Sequence, residues 1–427
     1  MDLARTDRMN LEKVVSLLQR EFVPAVGCTE PVAIALTCAN AYHAVGGRLV
    51  RLELELSSNV FKNARAVGIP GTEDTGIEIS ALLGVVLDAP DDGLEIFSSM
   101  TPAAAAAARK LREAAVVRVV VDSERRGLYV RARVTTDCGS AAAVAIDRHT
   151  CIRIVEMNGE AVPEGESASG AESANVRLRS MGTFDELVEC VMQAPTGVFD
   201  FLVDRAKANL DMAEIGLDSH HGYGERVLPA PGPNLPADYA AAACLARMEG
   251  AQQPVCTCAG SGNVGISATV PLLVDGRTIG ASRDMMARGL ALSLAITVYI
   301  KEHLGLLSPV CGCAVAAGAG AAAGMAYMRG GNAHTVADSA SSVLATLAGM
   351  LCDGGKAGCA LKVWTSASTA GEAATLALLG STVPAGNGIV GSSVDETILA
   401  LAEVANQGMA ELDRVLVDMM RAKYGCA

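Results

Sequence analysis

The residues with the clearest chemical potential in this sequence are its cysteines. The 427-residue chain holds 13 of them, and several fall in pairs whose members lie close together in sequence. None of these pairs has the two-residue separation of a zinc ribbon or a thioredoxin-type motif, so the sequence supports neither site. Single cysteines among apolar neighbours are expected to pack as small hydrophobic residues. The pairs are Cys256 with Cys258, Cys311 with Cys313, and Cys352 with Cys359; Cys190 and Cys244 are examples of the single cysteines.

A metal centre is the chemistry that the last pair favours. Cys352 and Cys359 flank the glycine-rich sequence DGGKAG of residues 353–358, where a turn can bring both thiols to one centre. Cys311 can supply a third thiol, since the Ser-Pro pair before it predicts a helix start with Cys311 in the first turn. Three thiolates at helix ends suit an iron–sulfur cluster, because helix dipoles and loop amides offset its negative charge. Packing of cysteines in apolar helices is the alternative.

Cys28 is a candidate of a second kind, a lone thiol at a helix start. It lies in the sequence VGCTEP of residues 26–31, where a threonine N-cap precedes a first turn of Glu30 and Pro31. The free N–H groups and dipole of a helix N-terminus lower the pKa of a nearby thiol, which would make Cys28 a reactive thiolate. A buried cysteine beside a helix cap is the alternative.

Two further stretches are suited to holding an anionic group of a substrate. Residues 260–265, GSGNVG, form a glycine-rich turn whose amides can bind a carboxylate or a phosphate, and a plain tight turn is the alternative. The turn has neither the lysine of a P-loop nor the spacing of a dinucleotide-binding fingerprint. Residues 58–63, SNVFKN, follow a predicted strand and offer Lys62 and two asparagines as a carboxylate clamp, with a solvated lysine as the alternative.

Hydrophobic periodicity predicts the elements that must position these residues. Apolar residues at helical spacing predict one helix over residues 11–22 and a second over residues 30–43. The pattern then alternates, as in LVRLELEL of residues 49–56, which predicts strands. The other predicted elements of this part are an alanine-rich helix over residues 102–115, a hairpin of residues 116–122 with 128–135, and further strand over residues 142–155.

The chain is therefore predicted to be of the α+β class, in three parts. N-terminal helices occupy residues 1–47, and an α+β domain occupies residues 48–170. A mostly helical, Ala/Gly-rich domain that carries the cysteine pairs occupies residues 171–427. The Gly/Ser/Glu-rich residues 158–174 are the predicted linker, and helices joined by Gly/Pro loops follow Phe184.

Composition and charge exclude one class of partner. The chain has 34 Lys and Arg residues against 47 Asp and Glu, and its formal net charge of -13 argues against a nucleic-acid partner. Hydrophobic residues make up 51% of the chain but aromatic residues only 3%, which predicts a core of closely packed small side chains.

One uncharged stretch, residues 304–328, is long enough to span a bilayer. It consists mainly of alanine and glycine and has no flanking belt of Trp and Tyr, so we predict a buried helix of a soluble protein. The first residues, MDLARTD, have no apolar signal core. These features predict a cytoplasmic protein with no membrane partner.

Together the motifs resemble those of a known family, the iron–sulfur-dependent L-cysteine desulfidases. That family is related to the α chain of bacterial iron–sulfur L-serine dehydratases. The resemblance runs in order over nearly the whole chain and is carried by EFVPAVGCTEP (residues 21–31), the stretch 59–63, VGIPGT (67–72), GSGNVG (260–265) and CDGGKAGCALK (352–362).

This resemblance implies a site and a reaction. The cluster ligands would be Cys311, Cys352 and Cys359, and the general base would be Cys28. The implied cofactor is a 4Fe-4S cluster whose open iron acts as a Lewis acid in the β-elimination of L-cysteine to pyruvate, ammonia and hydrogen sulfide. Cys313 is the alternative first ligand. Residues two apart on a helix point about 200° away from each other, so only one of the two can face the cluster.

The implied partner is a small amino acid, and a homo-oligomer is left open. L-Cysteine is favoured over L-serine because a soft thiolate suits iron better than a hydroxyl group does. Lys62, Asn63, Ser261 and Asn263 are the candidates to hold the carboxylate or the amine of the substrate.

Two other classes of protein would use the same types of residue. A non-catalytic thiol protein that stores metal or senses redox state also needs clustered cysteines. A pyridoxal-phosphate lyase would perform the same elimination through Lys62, Lys356 or Lys362.

The sequence YGCA at residues 424–427 prompts a further hypothesis. It places the thiol of Cys426 one residue from a carboxylate, which is a partial likeness of cysteine. This tail would then compete with the substrate for the site, and a frayed end is the alternative.

Overall fold

A computed structural model of the protein describes residues 9–114, 116–163, 177–218, 232 and 234–424. A mixed sheet with its own helices precedes a mostly helical region, which confirms the predicted α+β class. The helices are α1 (Leu11–Glu21), α2 (Thr29–Val45), α3 (Ser58–Ala64), α4 (Ile77–Leu87), α5 (Pro102–Glu113), α6 (Leu178–Met181), α7 (Phe184–Met192), α8 (Asp200–Asp218), α9 (Leu235–Met248), α10 (Gly262–Ile279), α11 (Arg283–Leu304), α12 (Ala316–Met328), α13 (Ala333–Leu347), α14 (Cys359–Leu378), α15 (Val394–Glu403) and α16 (Leu412–Tyr424). The strands are β1 (Pro24–Ala25), β2 (Leu49–Ser57), β3 (Val117–Asp122), β4 (Tyr129–Thr136), β5 (Ser140–Ile146), β6 (Ile152–Met157), β7 (Glu160–Ala161) and β8 (Val255–Cys256).

The mixed sheet has the strand order β3-β2-β4-β5-β6-β7. Strand β3 runs parallel to β2, and the other neighbours are antiparallel. Along β2, Leu52, Leu54 and Leu56 are buried, whereas the glutamates between them are partly exposed. This alternation places the aliphatic side chains on the face that the helices cover.

The predicted hairpin of residues 116–122 with 128–135 is wrong, because β2 lies between the two strands. Leu54 of β2 faces Val119 of β3 on one side and Ala132 of β4 on the other. After β2 the chain passes through α3, α4 and α5, which is the crossover that a parallel pair requires. Alternating residues fit either neighbour, so the sequence pattern could not choose between them.

Helix α2 is the central element of the sheet region. It is buried without interruption from Thr29 to Ala39 and packs against β4, β5 and α4. A Cβ atom at Gly84 of α4 would lie 2.1 Å from the carbonyl oxygen of Ala35, so this helix pair approaches as closely as it does because residue 84 is glycine. The core around α2 fixes the position of its N-terminus, next to Cys28.

The helical region has a core of small side chains, as its composition predicts. Helix α12 is buried from Ala316 to Ala326 and packs between α11, α13 and α14. A Cβ atom at Gly324 would lie 2.4 Å from Leu272 Cδ2 and 2.6 Å from the carbonyl oxygen of Gly289. Glycine and alanine therefore allow the close helix packing that larger side chains would prevent.

The buried helix predicted over residues 304–328 is only partly correct. The α-helix begins at Ala316, and turns that carry Cys311 and Cys313 precede it. Within the described ranges, no helix is both long enough and apolar enough to cross a membrane.

The first and last described helices connect the two regions. Helix α1 precedes the sheet in sequence but packs Val14, Leu17 and Leu18 into the core of the helical region. Helix α16 returns to the sheet region, where it packs against α3 and buries Val417. The three-part division of the chain stays a prediction, and much of the predicted linker, like Cys426, lies outside the described residues.

Candidate active site

Cys28 lies between β1 and α2, directly before the first residue of the helix. Strand β1 pairs with β8, with Pro24 opposite Cys256, which ties this segment to the helical region. Gly27 has a φ of 83°, and a Cβ atom there would lie 2.7 Å from Pro70 Cγ, so the turn requires glycine. The turn places the Cys28 thiol at the helix N-terminus with 6% of the residue exposed.

A buried carboxylate organises the polar groups around this thiol. Cys28 Sγ donates a hydrogen bond to Glu30 Oε2 at 3.3 Å, and Thr29 Oγ1 donates to the same oxygen at 3.3 Å. Asn63 Nδ2 donates to Glu30 Oε1 at 3.0 Å. Glu30 is 5% exposed, so both of its oxygens are engaged in a site that is nearly closed to water.

The pKa of the Cys28 thiol is well above its ordinary value, which is opposite to the sequence expectation. Burial contributes most to this increase and the Glu30 carboxylate adds to it, whereas the charge of Arg247 lowers the pKa. Burial and the neighbouring carboxylate therefore outweigh the helix N-terminus. In the resting protein Cys28 is a thiol that donates to Glu30.

Glu30 itself stays ionised in spite of its burial. Burial raises the pKa of Glu30, but His149 and then Asn63 lower it by more, so the net pKa is below the usual range. His149 Nε2 lies 4.0 Å from Glu30 Oε1, which is an ion-pair distance rather than a hydrogen bond. Thiol and carboxylate thus form a hydrogen-bonded donor–acceptor pair in which the proton rests on the sulfur.

Cys311 and Cys352 lie on two segments that pair through an isolated antiparallel bridge between Val310 and Leu351. Cys311 N donates to the carbonyl oxygen of Met350 at 2.8 Å. Cys352 N donates to the carbonyl oxygen of Pro309 at 2.6 Å. The helix start predicted at Cys311 is wrong, since α12 begins at Ala316. The bridge holds Cys311 in a turn beside Cys352 instead.

The glycine-rich loop before α14 packs directly on the sheet region. Gly354 has a φ of 95°, and a Cβ atom there would lie 2.1 Å from the carbonyl oxygen of Lys62. A Cβ atom at Gly355 would lie 2.7 Å from the carbonyl oxygen of Asn63 and 3.8 Å from Cys28 Sγ. Two adjacent glycines therefore let this loop touch α3 and approach the Cys28 thiol.

Ion pairs fix the same loop from within. Cys359 begins α14, and its Sγ donates to the carbonyl oxygen of Gly354 at 3.4 Å. Asp353 pairs with Lys356 at 2.6 Å and also with Lys362. Burial raises the pKa of Asp353, but the bonds from these two lysines lower it to about 2. These bonds therefore fix the positions of Cys352 and Cys359 relative to each other.

Lys62 and Asn63 connect the two sides of the site. Cys352 Sγ donates to Asn63 Oδ1 at 3.9 Å, while the amide of Asn63 donates to Glu30. Lys62 is 1% exposed, and its Nζ donates to the carbonyl oxygen of Cys352 at 2.9 Å and pairs with Asp413 of α16. Asn63 thus lies between the thiol pair and the cysteine loop, whereas protein groups bind the Lys62 ammonium. Their substrate-binding roles stay predictions.

Ser261 and Asn263 lie at the start of α10, where the glycine-rich turn ends. Ser261 is the N-cap, and its Oγ accepts a hydrogen bond from Val264 N at 3.5 Å. Asn263 Oδ1 accepts from Arg247 Nη1 at 2.8 Å, and Arg247 Nη2 donates to the carbonyl oxygen of Gly27 at 2.7 Å. The structure therefore brings Asn263 close to Cys28 through Arg247, whereas Ser261 serves as a cap.

Positive charge surrounds the cysteines of the helical region. A hydrogen bond from Cys313 is the main cause that lowers the pKa of Cys311, and the charge of Lys362 lowers it further. The same bond raises the pKa of Cys313. Lys301 is 6% exposed and attracts the negative charge of Cys352 and Cys311. Cys311 is therefore the thiolate of its pair, which favours it over Cys313 as a metal ligand.

Comparison with known proteins decides the family. The sequence model of the serine dehydratase alpha chain matches residues 91–418, about three quarters of the chain. The chain belongs to the serine dehydratase alpha chain family. The match includes the three candidate ligand cysteines, whereas Cys28 and Asn63 precede it. Membership gives the protein a serine dehydratase-like lyase fold.

Full-length relatives are similar along almost the whole chain. A UPF0597 protein of Bacteroides fragilis is 35% identical over 97% of this chain and 99% of its own length. A UPF0597 protein of Clostridioides difficile is 34% identical over 95% of this chain and 98% of its own length. One from Aeromonas hydrophila is 34% identical over 96% of both chains.

The serine dehydratase alpha chain family uses an iron–sulfur cluster, and the cysteines of this chain fit one. Cys311, Cys352 and Cys359 offer three soft sulfur donors, and Lys301 and Lys362 offset negative charge nearby. In the part of the chain that the structure describes, no group of three or more His, Cys, Asp or Glu side chains is placed to bind a single metal ion. Ligands of a cluster bind different irons, so they need not converge on one point.

Three ionisable residues near Cys28 were not identified from the sequence, namely Glu30, His149 and Arg247. Glu30 follows the thiol by two residues, and this spacing was an available signal. Arg247 lies among apolar residues in the last turn of the alanine-rich helix α9, which was also a signal. His149 lies in a polar turn between β5 and β6, where nothing in the local sequence marks it as buried.

Proposed function

We propose that this member of the serine dehydratase alpha chain family is an iron–sulfur-dependent lyase that acts on L-cysteine. The reaction is a non-redox β-elimination that releases hydrogen sulfide and aminoacrylate. Aminoacrylate then rearranges and hydrolyses to pyruvate and ammonia without further help from the protein.

The main support for this proposal is that the Cys28–Glu30 pair, which accepts protons, lies next to the cysteine loop. Cys28 Sγ donates to Glu30, Glu30 accepts from Asn63, and Asn63 accepts from Cys352 Sγ at 3.9 Å. A small substrate in this place has a proton acceptor on one side and soft sulfur donors on the other. β-Elimination needs both, since it removes a proton from Cα and a leaving group from Cβ.

Cys311, Cys352 and Cys359 are the residues that we assign to hold the 4Fe-4S cluster. When bound there, a cluster with three protein ligands supplies a Lewis-acidic iron that makes sulfide a better leaving group. Lys301 and Lys362 offset negative charge at these thiolates. The two glycines of the loop keep side chains out of the space between the loop and Cys28.

Cys28 is the residue that we assign to take the α-proton. Its thiol must first lose its own proton, and Glu30 Oε2, 3.3 Å away, is the acceptor in place. General-base catalysis of this type contributes about 10²–10⁴-fold to the rate. Both residues are almost completely buried, so bulk water does not compete for the proton.

Arg247 is our candidate to bind the substrate carboxylate. It is 1% exposed, Asn263 and Gly27 hold its two terminal nitrogens, and its Nε has no hydrogen-bond partner among the described residues. A guanidinium fixed in this way is oriented for a charge-assisted bond to a carboxylate. Asn63 is our candidate to orient the substrate between Glu30 and the cysteine loop.

A pyridoxal-phosphate mechanism has less support from the same structure. A Schiff base needs a lysine amine that can lose its proton and reach the cofactor. Buried Lys62 pairs with the partly exposed Asp413, and Lys356 and Lys362 both pair with Asp353. These ion pairs engage the amine of each lysine, so none of the three is placed to react with a cofactor.

L-Serine is the second candidate substrate, and the family match is the observation that favours it. The same proton acceptor and the same cysteines would serve a hydroxyl leaving group. L-Cysteine remains the first choice because its thiol is the softer ligand for iron.

Anaerobic purification, followed by iron and sulfide analysis and a pyruvate assay, tests the proposal. We expect about four irons per chain, as in a cubane cluster, and a higher kcat/KM with L-cysteine than with L-serine. Faster turnover of L-serine would make the protein a serine dehydratase.

Two results would reject iron–sulfur chemistry altogether. One is a metal-free protein that keeps its activity in air, and the other is a visible Schiff-base absorption that borohydride removes. A cluster-loaded protein that turns over neither amino acid would instead identify a metal-storing or redox-sensing thiol protein.

A further inference from the structure

His149 is a buried side chain on an otherwise exposed turn. The turn joins β5 to β6, and its neighbours Arg148 and Thr150 are exposed, whereas His149 is 4% exposed. Among the described residues, His149 Nε2 has no hydrogen-bond partner, and it lies 4.0 Å from Glu30 Oε1. Buried polar atoms are almost always hydrogen-bonded, so a buried ring nitrogen facing a carboxylate needs an explanation.

The His149 ring also lines a cavity of about 480 Å³ between the two regions. A Cβ atom at Gly260 would lie 3.2 Å from His149 Cε1 and Nδ1, so the glycine leaves room at this edge of the ring. Exposed residues such as Arg148 form part of the wall, so the cavity opens to solvent. Its other charged walls include Glu21, Arg126 and Lys301.

The His149 ring therefore lies between the buried site around Cys28 and the open cavity. On the buried side, Nε2 faces Glu30, which accepts the hydrogen bond of the Cys28 thiol. On the other side lies a cavity that water can enter. An imidazole can take a proton on one nitrogen and release one from the other, which is why histidine serves as a proton shuttle.

We propose that Glu30 and His149 form a proton relay that carries the substrate's α-proton from Cys28 to water in this cavity. The inference rests on the proposed function, and it names the route by which the site is reset between turnovers. Both residues act through Cys28, so they are positioning and relay residues rather than groups that contact the reacting carbon.

The relay accounts for every proton in one turnover. Glu30 first takes the thiol proton, against the resting preference of the pair for a proton on sulfur, and the Cys28 thiolate then takes the proton from Cα. The electron pair of the Cα–H bond becomes the Cα–Cβ double bond, and the pair of the Cβ–S bond leaves with sulfide.

Resetting the site then requires the loss of one proton. Cys28 and Glu30 each carry one proton at this stage, so the pair can no longer accept another. The proton moves from Oε2 to Oε1 of Glu30, which passes it to Nε2 of a His149 ring that is protonated on Nδ1 alone. His149 then releases the proton of Nδ1 to water in the cavity. The 4.0 Å gap between Nε2 and Oε1 must shorten by about 1 Å for this transfer.

Rapid-mixing kinetics can test this order of proton transfers. In the His149→Ala protein, Asn63 and the Cys28 thiol still donate to the Glu30 carboxylate. Glu30 can therefore store the thiol proton once, so the first turnover should keep its rate. Later turnovers should slow by about 10²-fold, on the scale of general acid–base catalysis. We therefore expect a burst of about one pyruvate per active site, which wild type does not show.

Added imidazole supplies a second readout. The vacated space adjoins the open cavity, so free imidazole should restore the steady-state rate, and the burst should shrink as that rate recovers. Imidazoles of different pKa should restore it to different extents. A residue that only shapes the site would give neither a burst nor this dependence.

Two more variants complete the test. His149→Gln fills the same space without a shuttling ring, so it should also give a burst, even if the alanine variant folds poorly. His303→Ala is the matched control, because His303 also has a buried ring nitrogen with no partner among the described residues but packs on Tyr299. It should keep the wild-type kinetics.

The outcomes separate this inference from the function on which it rests. Active wild type with a first turnover that is slowed as much as later ones in both His149 variants would overturn the relay. Wild-type kinetics in both variants would also overturn it. Wild type that turns over neither L-cysteine nor L-serine, in spite of a full complement of iron, would instead reject the proposed function.

Discussion

The sheet region and the helical region build their parts of the site in different ways. In the sheet region, hydrogen-bond donors surround the buried carboxylate of Glu30, which accepts from Cys28, Thr29 and Asn63. In the helical region, thiols on crossing segments and a glycine-rich loop are surrounded by lysines. We infer that the first side accepts protons and that the second holds the cluster.

The family match also divides the site residues into those inside and those outside the matched range. The matched residues 91–418 hold all the candidate ligand cysteines, whereas Cys28, Glu30 and Asn63 precede them. The two sides meet through Lys62 and Asn63 on one and the cysteine loop on the other. Changes on one side should therefore leave the chemistry of the other side measurable.

Loss of a cluster ligand should have the largest effect. We expect Cys352→Ala or Cys359→Ala to abolish both iron retention and turnover, because two protein thiolates would remain where three are assigned. Anaerobic iron and sulfide analysis measures the first effect and the pyruvate assay the second. Cys190→Ala is the matched control, since Cys190 is a half-buried thiol elsewhere in the helical region. Full iron content in the Cys352 and Cys359 variants would contradict the assignment.

The choice between Cys311 and Cys313 is the next test of the helical side. Cys311→Ala should lose the cluster and Cys313→Ala should keep most of it, because the Cys313 thiol donates to Cys311 and lowers its pKa. Iron content and the visible absorption of the cluster distinguish the two variants. The opposite pattern would make Cys313 the first ligand.

Cys28→Ser should remove the proton acceptor of the sheet region and leave the cluster site of the helical region intact. Iron and sulfide content should match wild type, and L-cysteine should still perturb the spectrum of the cluster. Turnover should fall by about 10²–10⁴-fold, because a serine hydroxyl is a far weaker proton acceptor in this place. α-Deuterated L-cysteine should show a kinetic isotope effect in wild type if proton removal limits the rate. Loss of iron in Cys28→Ser would identify Cys28 as a ligand.

The smallest effect is expected where α16 joins the two sides. Asp413→Asn leaves the buried Lys62 ammonium without its carboxylate, which should lower the free energy of unfolding by roughly 1–3 kcal/mol. Turnover should fall by much less than in Cys28→Ser, because Lys62 still donates to Cys352. Urea denaturation followed by circular dichroism measures the stability change.

A nearby ion pair provides the control for that measurement. Glu411, directly before α16, forms an exposed ion pair with Arg414, so Glu411→Gln should change the stability much less than Asp413→Asn does. An equal loss of stability in the two variants would show that the Lys62–Asp413 pair has no special role.

The sequence by itself determined the local features of this protein. Alternation predicted β2, alanine-rich and apolar periodic segments predicted the helices, and the spacing around the glycine-rich loop singled out Cys352 and Cys359. These features follow from neighbouring residues, whose periodicity and turn chemistry act over a few positions. The α+β class and the resemblance to the family could be stated for the same reason.

Only the tertiary structure decided which distant residues meet. It placed β2 between the two strands of the predicted hairpin, and it raised rather than lowered the pKa of Cys28. It also brought Asn63 to Cys352, which is 289 residues away, and His149 to Glu30. Such contacts depend on how whole elements pack against each other, and burial and charge change with that packing. No short stretch of sequence carries this information.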